Sequence, residues 1–341
     1  MHSNDQNINK LFTFWLTISL VLVFLIIIVG GLTRLTDSGL SITEWELLKG
    51  VLPPLSKNSW EIYFEEYKKI PQYKLLNFDM TLKEFKVIFY WEYFHRILAR
   101  SIGLFFLIPL IYFYLTKKIK KKYLYICCFI FSLILLQGVI GWYMVKSGLV
   151  KDITVSHYRL SLHLIMAFFI ISILFWAILN FKDKTFKTFF INKKKNYIFY
   201  LLFFVLFIQI IVGAFVSGLD AGKVYQTWPL MNLAYFPDDI VLNKINDLLN
   251  FENHGLIQFY HRNIAYLIII YMAILGFYIF KNRINHLKKP FYFVSMFLFA
   301  QIILGIITLI SGLNIYLASS HQIFSLLLTL SVINLYYRYI N

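Results

Sequence analysis

Eight stretches of this chain, at 12–33, 87–115, 123–145, 160–180, 197–219, 258–280, 291–313 and 318–337, are almost wholly apolar. A bilayer core is crossed by about 20 apolar residues wound as a helix. Each stretch therefore predicts a membrane span, and together they predict an all-α polytopic membrane protein of eight helices. Composition agrees: 59% of residues are hydrophobic and 15% charged, where a soluble domain carries about 25% charge. The first stretch ends in Gly30-Gly31-Leu32-Thr33-Arg34 with no small-residue cleavage site, so it is expected to remain as a span. Cys127 and Cys128 stand side by side in an apolar run. That placement excludes a disulfide framework and a thiolate zinc site.

The net charge of +16 is not spread along the chain. Segments 116–122, 181–196 and 281–290 hold 15 Lys and Arg and one acid, Asp183, which is +14 of the total. A basic surface for nucleic acid is thus not expected. The positive-inside rule instead places these loops in the cytoplasm. The connection 34–86 balances eight bases with eight acids, and 220–257 has two bases and five acids. Both are expected outside, giving an N-in, C-in topology.

The chain also repeats itself. Val29-Gly30-Gly31, Gly39 and Trp45 are matched 183 residues later by Val212-Gly213-Ala214, Gly222 and Trp228. Glu92-Tyr93-Phe94-His95-Arg96 is matched 166 residues later by Gln258-Phe259-Tyr260-His261-Arg262. The third, fifth and seventh spans share Gln-x-x-x-Gly (Gln137/Gly141, Gln209/Gly213, Gln301/Gly305) and a terminal Ser-Gly-Leu. Small residues permit close helix packing in lipid, but their ordered recurrence predicts two pseudo-symmetric four-helix bundles. The expected division is 1–180, with the outer loop 34–86, then a cytoplasmic linker 181–196, then 197–341.

Four of the eight histidines fall in spans, one in each even-numbered span: His95, His163, His261 and His321. All lie early in helices that enter from outside, which predicts two per bundle in the outer half of the membrane. Ionisable groups within spans point to function. Zinc requires further donors that this depth lacks. Two facing imidazoles in an apolar bundle suit the axial positions of a haem. Arg96, Arg100 and Arg262 lie within the spans and are candidates to hold propionates in bidentate fashion. Arg34 and Arg159 lie at outer ends, where they serve equally well snorkelling to headgroups. His157 and His254 fall in outer loops near the sites and are candidates for gating or proton transfer.

Glu92 is the one acid inside a span, three residues before His95 and on nearly the same helical face. Its repeat mate is Gln258. An i, i+4 salt bridge to Arg96 accounts for its presence, and proton or cation chemistry does so too. The asymmetry assigns reactivity to the first bundle and a cofactor to the second.

With these motifs in hand, the chain resembles the haem A synthase family over essentially its whole length. The resemblance rests on Gly-Gly-Leu-Thr-Arg-Leu-Thr with Ser-Gly-Leu-Ser and Trp45, on Glu92-x-x-His95-Arg96, and on Tyr158-Arg159-Leu160 before His163. Gln258-Phe259-x-His261-Arg262 and His321 complete it. It implies an oxidoreductase of the bacterial-type inner membrane that converts a methyl of the substrate haem O to the formyl of haem A for cytochrome c oxidase assembly. It further implies that His261 and His321 ligate a resident haem b, that His95 and His163 flank the haem O iron, and that Glu92 is needed for the reaction. Contacts with the haem O synthase and with oxidase assembly factors are expected, and a homo-oligomer is admissible. Segment 34–86 has no cysteine, so the chain resembles the branch whose outer loop lacks a cysteine pair. Two rivals share part of the pattern. A bis-histidine di-haem b electron-transfer protein needs the four histidines but not Glu92, and a transporter on a parallel repeat would be colourless.

Overall fold

Lipid offers backbone amides no partner, so a chain of this composition satisfies them within helices. The computed structural model describes residues 2–44, 49–149, 153–190, 196–238, 240 and 244–340. Trp45 and the linker residues 191–195 lie outside the described residues. Among those described, ten α-helices form: α1 (His2–Leu35), α2 (Lys57–Lys68), α3 (Pro71–Leu76), α4 (Leu82–Thr116), α5 (Lys121–Gly148), α6 (His157–Lys182), α7 (Tyr197–Gly218), α8 (His254–Lys281), α9 (Asn285–Ile310) and α10 (Ile315–Tyr339). All but α2 and α3 are long and apolar enough to cross a membrane. The protein is therefore a multi-pass membrane protein. Leu104, Ile108 and Leu115 of α4 are exposed, as side chains facing lipid rather than water can be.

The helices group into two units, Met1–Lys182 and Asp183–Asn341. In the first, α1 packs on α4 and α6, and α5 packs on the same two helices, closing a four-helix ring. Its core near the start of α1 is aromatic: Phe12 meets Trp15, Phe113 and Phe181, while Trp15 meets Phe106. In the second, α7 packs on α8, α8 on α9 and α9 on α10. Phe199 and Tyr200 of α7 close that ring against Tyr336 of α10.

Side-chain caps fix where three of the histidine-bearing helices begin. Thr81 and Glu84 form a capping box on α4, Asn253 caps α8 and Asn314 caps α10. Each cap satisfies amides that a helix start leaves open. The box starts α4 earlier than its apolar stretch alone indicates, so His95 lies two turns further along its helix than the other three histidines lie along theirs.

Helices α2 and α3 form a cap on α4. Trp60, Phe64, Tyr67, Ile70, Phe85 and Phe89 make one buried cluster with Leu40 and Ile42. A polar relay ties it down: Asn77 donates to the Tyr67 hydroxyl (2.8 Å), which donates to Gln72 (3.0 Å), which donates to the Asp37 carbonyl (3.1 Å). Tyr67→Phe leaves Gln72 Oε1 and Asn77 Nδ2 without this partner, and is expected to loosen the cap by about 1–3 kcal/mol. Hydrogen exchange over 57–76 measures it. Burial pushes the Tyr67 phenol from 10.0 up to about 12. The unfolded phenol ionises first, so this contribution is complete below pH 10 and lost as pH rises through about 12.

Candidate functional site

Each of the four histidines lies in a notch made by a glycine on the long apolar helix preceding its own in the chain. A Cβ built on Gly30 would stand 3.1 Å from His95 Cε1, and one on Gly141 3.0 Å from His163 Cε1. In the second unit the distances are 3.0 Å from Gly213 to His261 and 2.9 Å from Gly305 to His321. Helix pairs α1/α4, α5/α6, α7/α8 and α9/α10 thus repeat one device. Glycine lets the imidazole edge come against the neighbouring backbone, where any side chain would displace it. The glycines lie five to seven residues before the ends of their helices. The device therefore recurs at nearly one distance from the end of its carrier.

In the second unit the rings of His261 and His321 are 6.5 Å apart between centroids, at 74°. Two imidazole–metal bonds of about 2 Å plus the two ring half-widths come to about that span, so one metal fits between the rings. Among the described residues no three His, Cys, Asp or Glu side chains gather to hold a bare metal ion. A two-nitrogen set with apolar walls is the donor chemistry of a bis-histidine haem. Buried Nδ1 atoms of His95, His163 and His261 have no hydrogen-bond partner. His321 Nδ1 lies 3.1 Å from the Gln301 carbonyl, a contact that, with the proton on Nδ1, leaves Nε2 available to a metal.

Glutamines stand four residues before three of the glycines. Gln137 Nε2 donates to the His163 carbonyl (3.0 Å) and lies 3.3 Å from its Nε2. Gln209 Nε2 donates to the His261 carbonyl (3.1 Å), and Gln301 Nε2 lies 3.2 Å from His321 Nε2. Recurrence of Gln-x-x-x-Gly is visible in the sequence, but its aim at the histidine is not.

Glu92 is 2% exposed. One carboxylate oxygen accepts from Arg96 Nη2 (2.6 Å) and Nε (3.1 Å), the other from Ser41 Oγ (2.7 Å) and the Ile42 amide (2.8 Å). Arg96 Nη2 also donates to the Ile42 carbonyl, 3.0 Å away. The pair thus clasps the segment that follows α1. The same positions act in the second unit, where Gln258 Nε2 (2.8 Å) and Arg262 Nη2 (3.1 Å) donate to the Tyr225 carbonyl. Tyr225 is the 183-residue repeat mate of Ile42. Ser41 and Ile42 are site residues that side-chain chemistry did not single out. Ser41 closes the Ser-Gly-Leu-Ser motif, and the repeat offset, which pairs 42 with 225, points to Ile42.

The other candidates are placed as follows. Arg100 donates to the Gly50 carbonyl (2.9 Å), and Arg262 also donates to that of Leu230 (3.2 Å). With Tyr63, Phe89 and Tyr93, Arg96 and Arg100 line a shallow hollow beside Ile42. Arg34 pairs with Asp37 at 2.6 Å, and Arg159 lies over the Tyr143 ring. His157 is not in a loop: it opens α6, is buried, and its ring meets Tyr158. His254 opens α8 and is exposed.

Fold and site together define an eight-span helical membrane protein with paired, glycine-seated histidines inside each four-helix unit. Residues 13–333 match the family described as cytochrome oxidase assembly protein, COX15-CtaA, and the chain belongs to that family. It is 48% identical over 339 residues to the haem A synthase of Pelagibacter ubique, covering 99% of each chain. It is 44% identical over 312 residues to the haem A synthase of Bartonella quintana, covering 90% of this chain and 86% of that one. With the haem A synthase of Rickettsia africae it shares 40% identity over 333 residues, 96% and 98% of the two chains.

Proposed function

We propose that this chain is a haem A synthase, oxidising a methyl group of haem O to the formyl group of haem A for terminal oxidase assembly. The observation that carries the proposal is near full-length similarity to proteins of that name, in a chain with two histidine pairs and one intramembrane acid beside one of them. Residues 1–180 take the substrate, with His95 and His163 at its iron. Residues 197–341 hold a resident haem b on His261 and His321, which supplies one-electron redox chemistry when bound. Charge asymmetry supports N-in, C-in topology in the inner membrane, with both sites in the outer half.

The methyl passes to an alcohol and then to a hydrated aldehyde by two successive two-electron oxidations, and loss of water leaves the formyl group. Oxygen and the electron acceptor come from outside the chain. Glu92 provides a fixed negative charge, oriented by Arg96, Ser41 and the Ile42 amide. That charge stabilises positive charge developing on the ring substituent, a preorganised electrostatic role. Arg96, Arg100 and Arg262 serve the propionate side of the two sites while holding the outer segments in place. Haem O is poorly soluble in water, so direct transfer from its synthase and onward to oxidase assembly factors follows, with homo-oligomer formation compatible.

The test is the visible spectrum of the purified protein, followed by acid–acetone extraction and chromatography of its haems after supply of haem O. Haem b together with haem A is expected. Haem b alone, with haem O left unconverted, overturns the assignment.

A further inference from the structure

The segment that follows α7 differs in charge from its first-unit counterpart. Between Lys223 and Asp238 the chain has no charged residue, whereas the repeat-equivalent residues 41–54 include Glu44, Glu46 and Lys49. Large apolar side chains face outward along it: Trp228, Leu230 and Tyr235 are exposed, and Leu233 is 91% exposed. An uncharged stretch that shows such a surface is ill suited to water.

Its depth follows from α8. That helix carries no charge over 263–280, which is 18 residues and about 27 Å of helix. A hydrocarbon core of about 30 Å takes up all of it, so the near edge of the core falls close to Arg262. The segment reaches below that edge. Trp228 Nε1 donates to the Tyr266 hydroxyl (3.0 Å), and the Tyr235 hydroxyl donates to Asn263 Oδ1. Tyr266 is four residues past Arg262, about 6 Å deeper. Ile270 and Ile274 follow it on the same helical face, and both are exposed. The apolar surface therefore runs on unbroken from the segment down the lipid-facing side of α8.

Irregular chain is tolerated at such depth only where its polar backbone groups are satisfied within the protein. This segment meets that condition at its turn. Thr227 Oγ1 donates to the Leu230 carbonyl (2.9 Å) and accepts from the Asn232 amide (2.8 Å), while the Met231 amide donates to the Ala234 carbonyl (2.7 Å). Arg262 Nη1 adds a second donor to the Leu230 carbonyl, 3.2 Å away. Pro229 and Pro237 bring no amide at all. A turn in water needs none of this, because solvent completes its bonds.

We infer that residues 227–236 form a re-entrant hairpin seated in the outer leaflet, with Trp228, Leu230, Leu233 and Tyr235 against phospholipid acyl chains. The leaflet is the outer one in the topology proposed above, whereas the seat itself follows from the second unit alone and invokes no bound haem. Its effect on the site is mechanical. Through the Leu230 carbonyl the hairpin holds Arg262, the neighbour of His261, so lipid braces the end of α8 that carries the histidine.

A nitroxide at Leu233→Cys reads the seat in the full-length protein, carrying Cys127→Ala and Cys128→Ala, in bilayer nanodiscs. Its collisions are measured with oxygen, which concentrates in hydrocarbon, and with a water-soluble nickel chelate. Oxygen access with nickel access lost is expected, as for Ile270→Cys on the exposed face of α8. Ile245→Cys, exposed between Lys244 and Asp247, is the water-facing control and should show the reverse. Nickel access at Leu233 equal to that at Ile245 overturns the inference, and shielding from both probes overturns it in favour of a covering protein surface. If the labelled variant does not fold, unlabelled protein gives the same reading. Lipids brominated on the acyl chain quench tryptophan emission, and Trp228→Phe should remove part of the quenched fraction. A quenched fraction unchanged by Trp228→Phe overturns the inference.

Discussion

Glu92→Gln abolishes haem A formation, by at least about 100-fold as expected for removal of one preorganised charge partner, while both haems stay bound. The expectation follows from how completely the carboxylate is engaged. A carboxylate offers about four lone-pair sites, and four donors reach this one: two from Arg96, the Ser41 hydroxyl and the Ile42 amide. An amide of the same shape has one acceptor oxygen and an NH2 group. Whichever way it turns, it sets a donor against donors, either the guanidinium or the Ser41–Ile42 pair. Arg96 is left buried against a neutral group, and breaking a buried ion pair by neutralising one member costs about 3–5 kcal/mol. That cost falls on the segment after α1 rather than on the histidines, whose seats are glycines on other turns. Haem content is therefore the control and the extracted haem profile the readout. An unaltered profile would remove Glu92 from the reaction and favour the di-haem electron carrier.

That example shows where the sequence was legible and where it was not. Helices α1 and α4–α10 follow from apolar length, because lipid leaves the backbone no alternative to a helix. The early start of α4 was readable in principle from Thr81 and Glu84, three apart in the capping pattern, but an apolar stretch alone places the start near residue 87. Within the site, the histidines and their glycines stand out because both are constrained by residue type. Of the donors to Glu92, Arg96 stands out at i, i+4 and is found there, whereas the Ile42 N–H does not, since it belongs to the backbone and carries no residue signature. The arginines are legible only in part. Sequence chemistry offers them to propionates, whereas Arg96, Arg100 and Arg262 also hold backbone carbonyls of Ile42, Gly50 and Tyr225. Those carbonyls lie in irregular segments without periodicity, where partner identity depends on tertiary packing.

The notch predicts the other large effect. Gly305→Ala or Gly213→Ala should cost the second unit its haem, lowering haem from two to one per chain, with the helices intact. A Cβ at Gly305 would lie 2.9 Å from His321 Cε1, and at Gly213 3.0 Å from His261 Cε1, so the ring must give way by a few tenths of an ångström against its seat. Overpacking of this kind costs about 1–3 kcal/mol, and here it acts on the orientation of a ligand. Against it stands the helix preference for Ala over Gly, about 1 kcal/mol, which favours the variant's helix. Loss of haem together with unchanged or increased helicity thus cannot come from a weakened helix, and assigns the effect to the seat. Gly103→Ala and Gly138→Ala are the matched controls. Both glycines lie in spans of the first unit, and a Cβ on either meets nothing within 4 Å. Gly138 stands one turn from Gly141 on α5, whose own Cβ would reach 3.0 Å from His163, so haem kept in Gly138→Ala but lost from the first unit in Gly141→Ala would localise the requirement to one turn of one helix.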